Sequence, residues 1–142
     1  SAHANGFRQI EVIAAAASDQ AGTIELRTHP ETSNSATVAA SGERLRDERG
    51  RSELVPALVL DSLCADLDRL DLFKIDIEGS ELDLLSSPDM EWVAQTQVMA
   101  VELHEAMRPG ATEAYTRATG GFEHSQSGEY SLAYRPGSLL PS

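Results

Sequence analysis

Leu70-Asp71-Leu72-Phe73-Lys74-Ile75-Asp76-Ile77-Glu78-Gly79-Ser80-Glu81-Leu82-Asp83-Leu84-Leu85 reads as a buried strand that runs straight into a helix. Alternation puts Phe73, Ile75 and Ile77 on one side and Leu72, Lys74, Asp76 and Glu78 on the other. Gly79 breaks the strand, and Ser80 to Leu85 has helical composition. Three acids, Asp76, Glu78 and Glu81, crowd the strand-to-helix turn. In open α/β sheets ligands bind outside the carboxyl ends of the strands. The turn is therefore where such a fold places its chemistry.

Strand and helix keep alternating downstream. Ser87-Pro88 pairs a cap with a first-turn proline and opens a short helix, Asp89 to Ala94. Thr96 to His104 is a second buried strand. Ala111 to Ala118 is a helix with Thr112 as its cap, and Phe122 to Ser125 and Tyr130 to Tyr134 are short strands. Upstream, Leu54 to Leu60 is strand-like, with Pro56 marking an edge or a bulge. Asp61-Ser62 caps a helix that runs to about Leu67. Phe7 to Ala17 reads as a strand emptying into a run of alanines, and Thr23 to Thr28 as a strand paired back on it. The pattern predicts one α/β domain over residues 1–142. Its sheet is mostly parallel, with an antiparallel edge at the carboxyl terminus. A flexible insert over about 29–53 and a tail over about 136–142 complete the reading.

Composition narrows the function. The net charge is −12, of which −10 falls after residue 60. That balance argues against nucleic acid, which needs clustered Lys and Arg, and against an anionic membrane surface. A single cysteine, Cys64, permits no intrachain disulfide, and its apolar neighbours Leu60, Leu63 and Leu67 make it a small buried hydrophobe. No apolar run reaches membrane-spanning length, and no signal-peptide pattern is seen. A cytoplasmic location is the default expectation.

Two constellations carry chemistry. In the first, Glu81 has a structural explanation as a helix-start acid, and so has Glu78. Asp76 does not: an acid at the end of an apolar strand costs desolvation unless paired, and Lys74 is the available partner. In the second, Glu102 and His104 end the next strand with the same two-residue spacing. If the two strands are neighbours, Asp76, Glu78, Glu102 and His104 converge at one end of the sheet. A carboxylate beside a histidine suits removal of a hydroxyl proton. It equally suits a divalent cation held by oxygen and imidazole. The plainer alternative is that Glu102 pairs with Arg108 and His104 is a loop residue. His3, His29 and His124 are isolated and read as solvated. No G-x-G-x-x-G, G-x-x-x-x-G-K-[ST] or G-x-S-x-G motif occurs.

Lys74-Ile75-Asp76-Ile77-Glu78-Gly79-Ser80-Glu81 resembles the K-I-D-[VI]-E-G-x-E signature of FkbM-type methyltransferases. Val59-Leu60-Asp61-Ser62-Leu63, Val101-Glu102-Leu103-His104 and the segment with Ala16-Ala17-Ser18-Asp19 resemble further family segments, in the right order over about residues 5–105. The resemblance implies a class I methyltransferase (Rossmann-like) fold that uses S-adenosylmethionine. It places Ala16, Ala17, Ser18 and Asp19 near the adenine, Asp76 near the methyl group, and Glu78, Glu102 and His104 around the acceptor. No metal is implied. The expected acceptor is a hydroxyl of a small molecule or sugar-like compound.

The family's first two strands carry the glycine-rich cofactor loop and the ribose-binding acid, and neither is found in this sequence. The expectation is therefore the carboxyl-terminal part of an O-methyltransferase, inactive alone and weak in cofactor binding. Its exposed sheet edges would invite homo-oligomers. Two alternatives use the same residues differently. One is a metal-dependent hydrolase or transferase built on Asp76, Glu78, Glu102 and His104, and the other is a non-catalytic methyltransferase-like association domain.

Overall fold

The computed structural model describes residues 6–28, 36–38 and 51–138. Twelve elements follow in chain order: β1 (Ala16–Ser18), β2 (Gly22–Thr28), β3 (Ala36–Val38), β4 (Arg51–Val59), α1 (Leu60–Cys64), β5 (Leu70–Ile75), α2 (Glu81–Leu85), α3 (Glu91–Gln95), β6 (Thr96–Glu102), α4 (Ala111–Ala118), β7 (Glu123–Ser127) and β8 (Tyr130–Tyr134). They form two four-stranded sheets, ordered β1-β4-β2-β3 and β5-β6-β8-β7.

The α/β class holds, but a mostly parallel sheet does not. Among the described residues, β1/β4 and β5/β6 pair in parallel and the other four strand pairs are antiparallel. Parallel neighbours need a long crossover, usually helical. The chain between β5 and β6 supplies one with α2 and α3, whereas Gly128-Glu129 is a two-residue link that forces β7 and β8 antiparallel.

The first sheet departs furthest from expectation. β2 pairs with β4 and β3, not with β1, and β4 lies between them: Ala57 faces Ala16 on one side and Gly22 on the other. Among the described residues before Ala16, 6–15, there is no strand, and Val12 is 69% exposed. Residues 29–35 and 39–50 of the expected insert and 139–142 of the expected tail lie outside the described residues. The described part of the insert holds β3 and the start of β4. Pro56 sits where β4 has one neighbour, because β1 begins beside it only at Ala57. The missing N–H of a proline is tolerated there.

The core lies on the Phe73/Ile75 face of the second sheet. Phe73 pairs with Met99 and Ile75 with Val101, and these cover Leu84 and Leu85 of α2, Trp92 and Val93 of α3, and Ala114 and Tyr115 of α4. Trp92 is fully buried, with its ring centroid 4.9 Å from that of Phe73. Cys64 is buried in the same core, and burial pushes its thiol pKa up. The opposite face carries Leu72, 63% exposed, and Lys74.

Helix starts are capped by more distant residues than the local sequence indicates. Asp61 does not cap α1; its Oδ1 accepts the Trp92 N–H at 2.9 Å and so closes the first turn of α3. Thr112 is not the cap of α4 either. Glu105 accepts the N–H groups of Gly110 (2.7 Å) and Thr112 (2.8 Å), and these bonds hold its carboxyl pKa below the usual range. Both are the ordinary chemistry of unpaired helix N-terminal donors, met from another part of the chain.

Candidate active site at the carboxyl ends of β5 and β6

The strand Leu70–Ile75 ends one residue before Asp76. A tight turn follows from Ile77 to Ser80, closed by the Ser80 N–H on the Ile77 carbonyl at 3.4 Å. Both central residues are left-handed, Glu78 at φ 51° and Gly79 at φ 96°. A non-glycine residue in that region is uncommon, and such outliers gather at functional sites. Gly79 is required there by its backbone. Gly79→Ala is expected to destabilise the domain by about 1–3 kcal/mol through left-handed strain alone. An added Cβ would meet Met107 only at ordinary contact distance, 3.5 Å. Urea denaturation of the two proteins side by side checks this.

Glu81, the first residue of α2, organises the turn. Its side chain is fully buried. Its oxygens accept the N–H of Ile77 at 3.3 Å and that of Gly79 at 3.2 and 3.0 Å. The expected helix-start role is thus real, with the carboxylate reaching back over the turn. The same carboxylate also meets His104 Nδ1 at 2.9 Å.

His104 lies two residues past the end of β6, with its side chain only 16% exposed. Its Nε2 is 3.6 Å from Glu78 Oε2 and 3.7 Å from Glu102 Oε1. Burial alone would pull its pKa down. The hydrogen bond to Glu81 and the charges of Glu81, Glu78 and Glu102 outweigh burial, so the pKa is raised above the ordinary histidine value. Held at Nδ1 by Glu81, the ring turns Nε2 towards the other carboxylates, an arrangement in which Nε2 can receive a proton.

The four residues expected to converge do so, because β5 and β6 are parallel neighbours in register, Ile75 beside Val101. Asp76, Glu102 and His104 each offer one ligand atom within 4.8 Å of the others, a spacing that could take a divalent cation. Lys74 Nζ pairs with Asp76 Oδ2 at 3.2 Å, as expected. The plainer pairing of Glu102 with Arg108 is not found: Arg108 makes a two-pronged pair with Asp83, at 2.7 and 3.1 Å.

Ala16, Ala17 and Ser18 form β1 at the edge of the first sheet and Asp19 follows it; β1 lies against α2, and Ala17 packs against the core. Ser18 Oγ and Asp19 Oδ1 bond to each other at 3.3 Å, and among the described residues no hydrogen bond joins them to the Asp76 cluster. His124 is not merely solvated: its Nε2 is 2.7 Å from Thr119 Oγ1, and its ring stands edge-on to Tyr115. His3 and His29 lie outside the described residues.

Glu81 is the residue that sequence reasoning undervalued. Its signal was present: Glu81, Leu84 and Leu85 share one helix face, and all three are buried. An acid on an apolar stripe needs a partner beyond the local cap.

No helix among the described residues is long and apolar enough to cross a membrane. Comparison with curated proteins and with solved structures returns no match. Residues 2–125 match the family described as Methyltransferase FkbM domain. That span covers most of the 142 residues and contains the octet, the Glu81–His104 pair and both carboxylates beside it, so the chain belongs to the FkbM methyltransferase domain family.

Proposed function

We propose that this domain is the carboxyl-terminal part of an S-adenosylmethionine-dependent O-methyltransferase acting on a hydroxyl of a small molecule or sugar-like compound. The observation that carries the reading is the Glu81–His104 pair at the carboxyl ends of two parallel strands. His104 Nε2 takes the hydroxyl proton as the acceptor oxygen becomes the nucleophile. Glu81 fixes the ring tautomer and orientation, and Glu78 and Glu102 stabilise the imidazolium that results.

By charge, the carboxylates of Asp76, Glu78 and Glu102 fit the cationic end of the cofactor, and Ser18 and Asp19 offer polar groups for its other end. When bound, the cofactor supplies an electrophilic methyl group. The chain contains no glycine-rich cofactor loop, so these 142 residues alone are expected to bind it more weakly than micromolar. Isothermal titration checks that, and micromolar binding would overturn it. Transfer of labelled methyl to a panel of hydroxylated acceptors tests the reaction itself. No transfer to any of them by the parent protein counts against the reading.

The spacing of Asp76, Glu102 and His104 favours one second reading, a divalent cation that binds and polarises the acceptor oxygen. A rise in melting temperature with millimolar Mg2+ or Mn2+, lost in Asp76→Asn, would support it. An unchanged melting temperature would count against it.

A further inference from the structure

Glu102 pairs directly with Tyr130 across β6 and β8, so the two side chains stand side by side on one face of the sheet. Lys74 pairs with Ala100 on that same face, two residues further back along β5 and β6, and Ala100 in turn faces Leu132. The Lys74 ammonium lies 5.0 Å from the centre of the Tyr130 ring and 3.2 Å from Asp76 Oδ2. Lys74 is on β5 and Tyr130 on β8, with β6 between them. Their side chains therefore span β6 over Ala100, whose methyl group keeps the face low enough for them to meet.

We propose that Lys74 and Tyr130 are a positioning pair that fixes the Asp76 carboxylate in the site. An exposed lysine–aspartate pair two residues apart, one on an edge strand and the other just past its end, has little to hold it in one geometry. The aromatic face supplies what is missing, because an ammonium over a tyrosine ring is drawn to the ring's negative face. The ring limits where the ammonium lies, and the ammonium limits where the carboxylate lies. The Tyr130 hydroxyl adds to the hold on the ammonium, whose pKa it helps to raise, and the ring face is expected to keep the placement without it. The placement stands on geometry alone, and its consequence for turnover rests on the methyl-transfer reading above.

The test separates the two. Three-bond Hα–Hβ couplings of Asp76, measured by NMR on the whole chain, report whether its side chain keeps one rotamer. One rotamer is expected in the parent, in Tyr130→Phe and in Lys74→Arg, since arginine both stacks on the ring and binds carboxylate. Averaged couplings are expected in Lys74→Met and Tyr130→Leu. Lys74 is half exposed, so Lys74→Met tests the idea even if Tyr130→Leu fails to fold. Averaged couplings in the parent, or a single rotamer kept in Lys74→Met, would overturn the pair. Where methyl transfer is measured, Lys74→Met is expected to lower kcat by roughly tenfold or more, with Lys74→Arg restoring most of it. An unchanged kcat with averaged couplings would overturn the catalytic role while leaving the pairing itself established.

Discussion

Replacing Glu81 by alanine is expected to remove about 3–5 kcal/mol of stability, a large share of the roughly 5–15 kcal/mol that holds a domain together. The carboxylate is fully buried and serves three donors, the N–H groups of Ile77 and Gly79 and His104 Nδ1. Alanine leaves those donors without their partner, at about 1–3 kcal/mol for each one kept from water, and opens a cavity beneath α2. Glu81→Gln keeps an accepting oxygen for the turn but sets an amide N–H2 against His104, so an intermediate loss is expected. Urea midpoints at constant m-value measure both. A loss under about 1 kcal/mol for Glu81→Ala would mean that the turn holds itself without the carboxylate.

The pH dependence of that loss has a definite sign. The folded-state pKa of His104 is raised, so its contribution to stability is complete below the unfolded value of about 6.5. It is lost as pH rises through the higher folded value. The gap between parent and Glu81→Ala should therefore be widest in mild acid, above the carboxylate range, and narrow towards the alkaline side. A gap that widened with pH would contradict the assignment.

The turn was legible in the sequence because its causes are local. Alternation fixed the faces of Phe73 and Ile75, Gly79 marked the break, and the helix began within a residue of its expected start. The convergence of Asp76, Glu78, Glu102 and His104 needed only one non-local fact, that two successive buried strands lie side by side. What could not be read depended on which distant partner wins. Asp61 looks like a cap for the helix it begins, yet it serves a helix N–H 31 residues away. Glu81 has a sufficient local role, and that role hides a second one with a histidine 23 residues on. β1 and β2 are adjacent in sequence, but β4 comes between them, and nothing local distinguishes a hairpin from a hairpin with a strand inserted.

His104→Gln is the change expected to cost most in activity, about 10²–10⁴-fold in kcat if the imidazole takes the acceptor proton. Glutamine keeps most of the side-chain volume and can still donate to Glu81, so folding should survive and the loss should lie in turnover. The pH profile gives the sharper reading. Transfer needs the neutral ring, so the rate should rise with pH through the raised His104 pKa. Glu78→Gln and Glu102→Gln each remove a carboxylate 3.6–3.7 Å from Nε2, so each should move that rise to lower pH. Lowering the pKa of the base also weakens it, so the same variants should turn over more slowly on the alkaline plateau. An uncharged glutamine could not produce both effects unless the carboxylates act through the histidine. If His104→Gln retained full kcat while Asp76→Asn lost it, the proton would go to Asp76, and the Glu81–His104 pair would be part of the scaffold only.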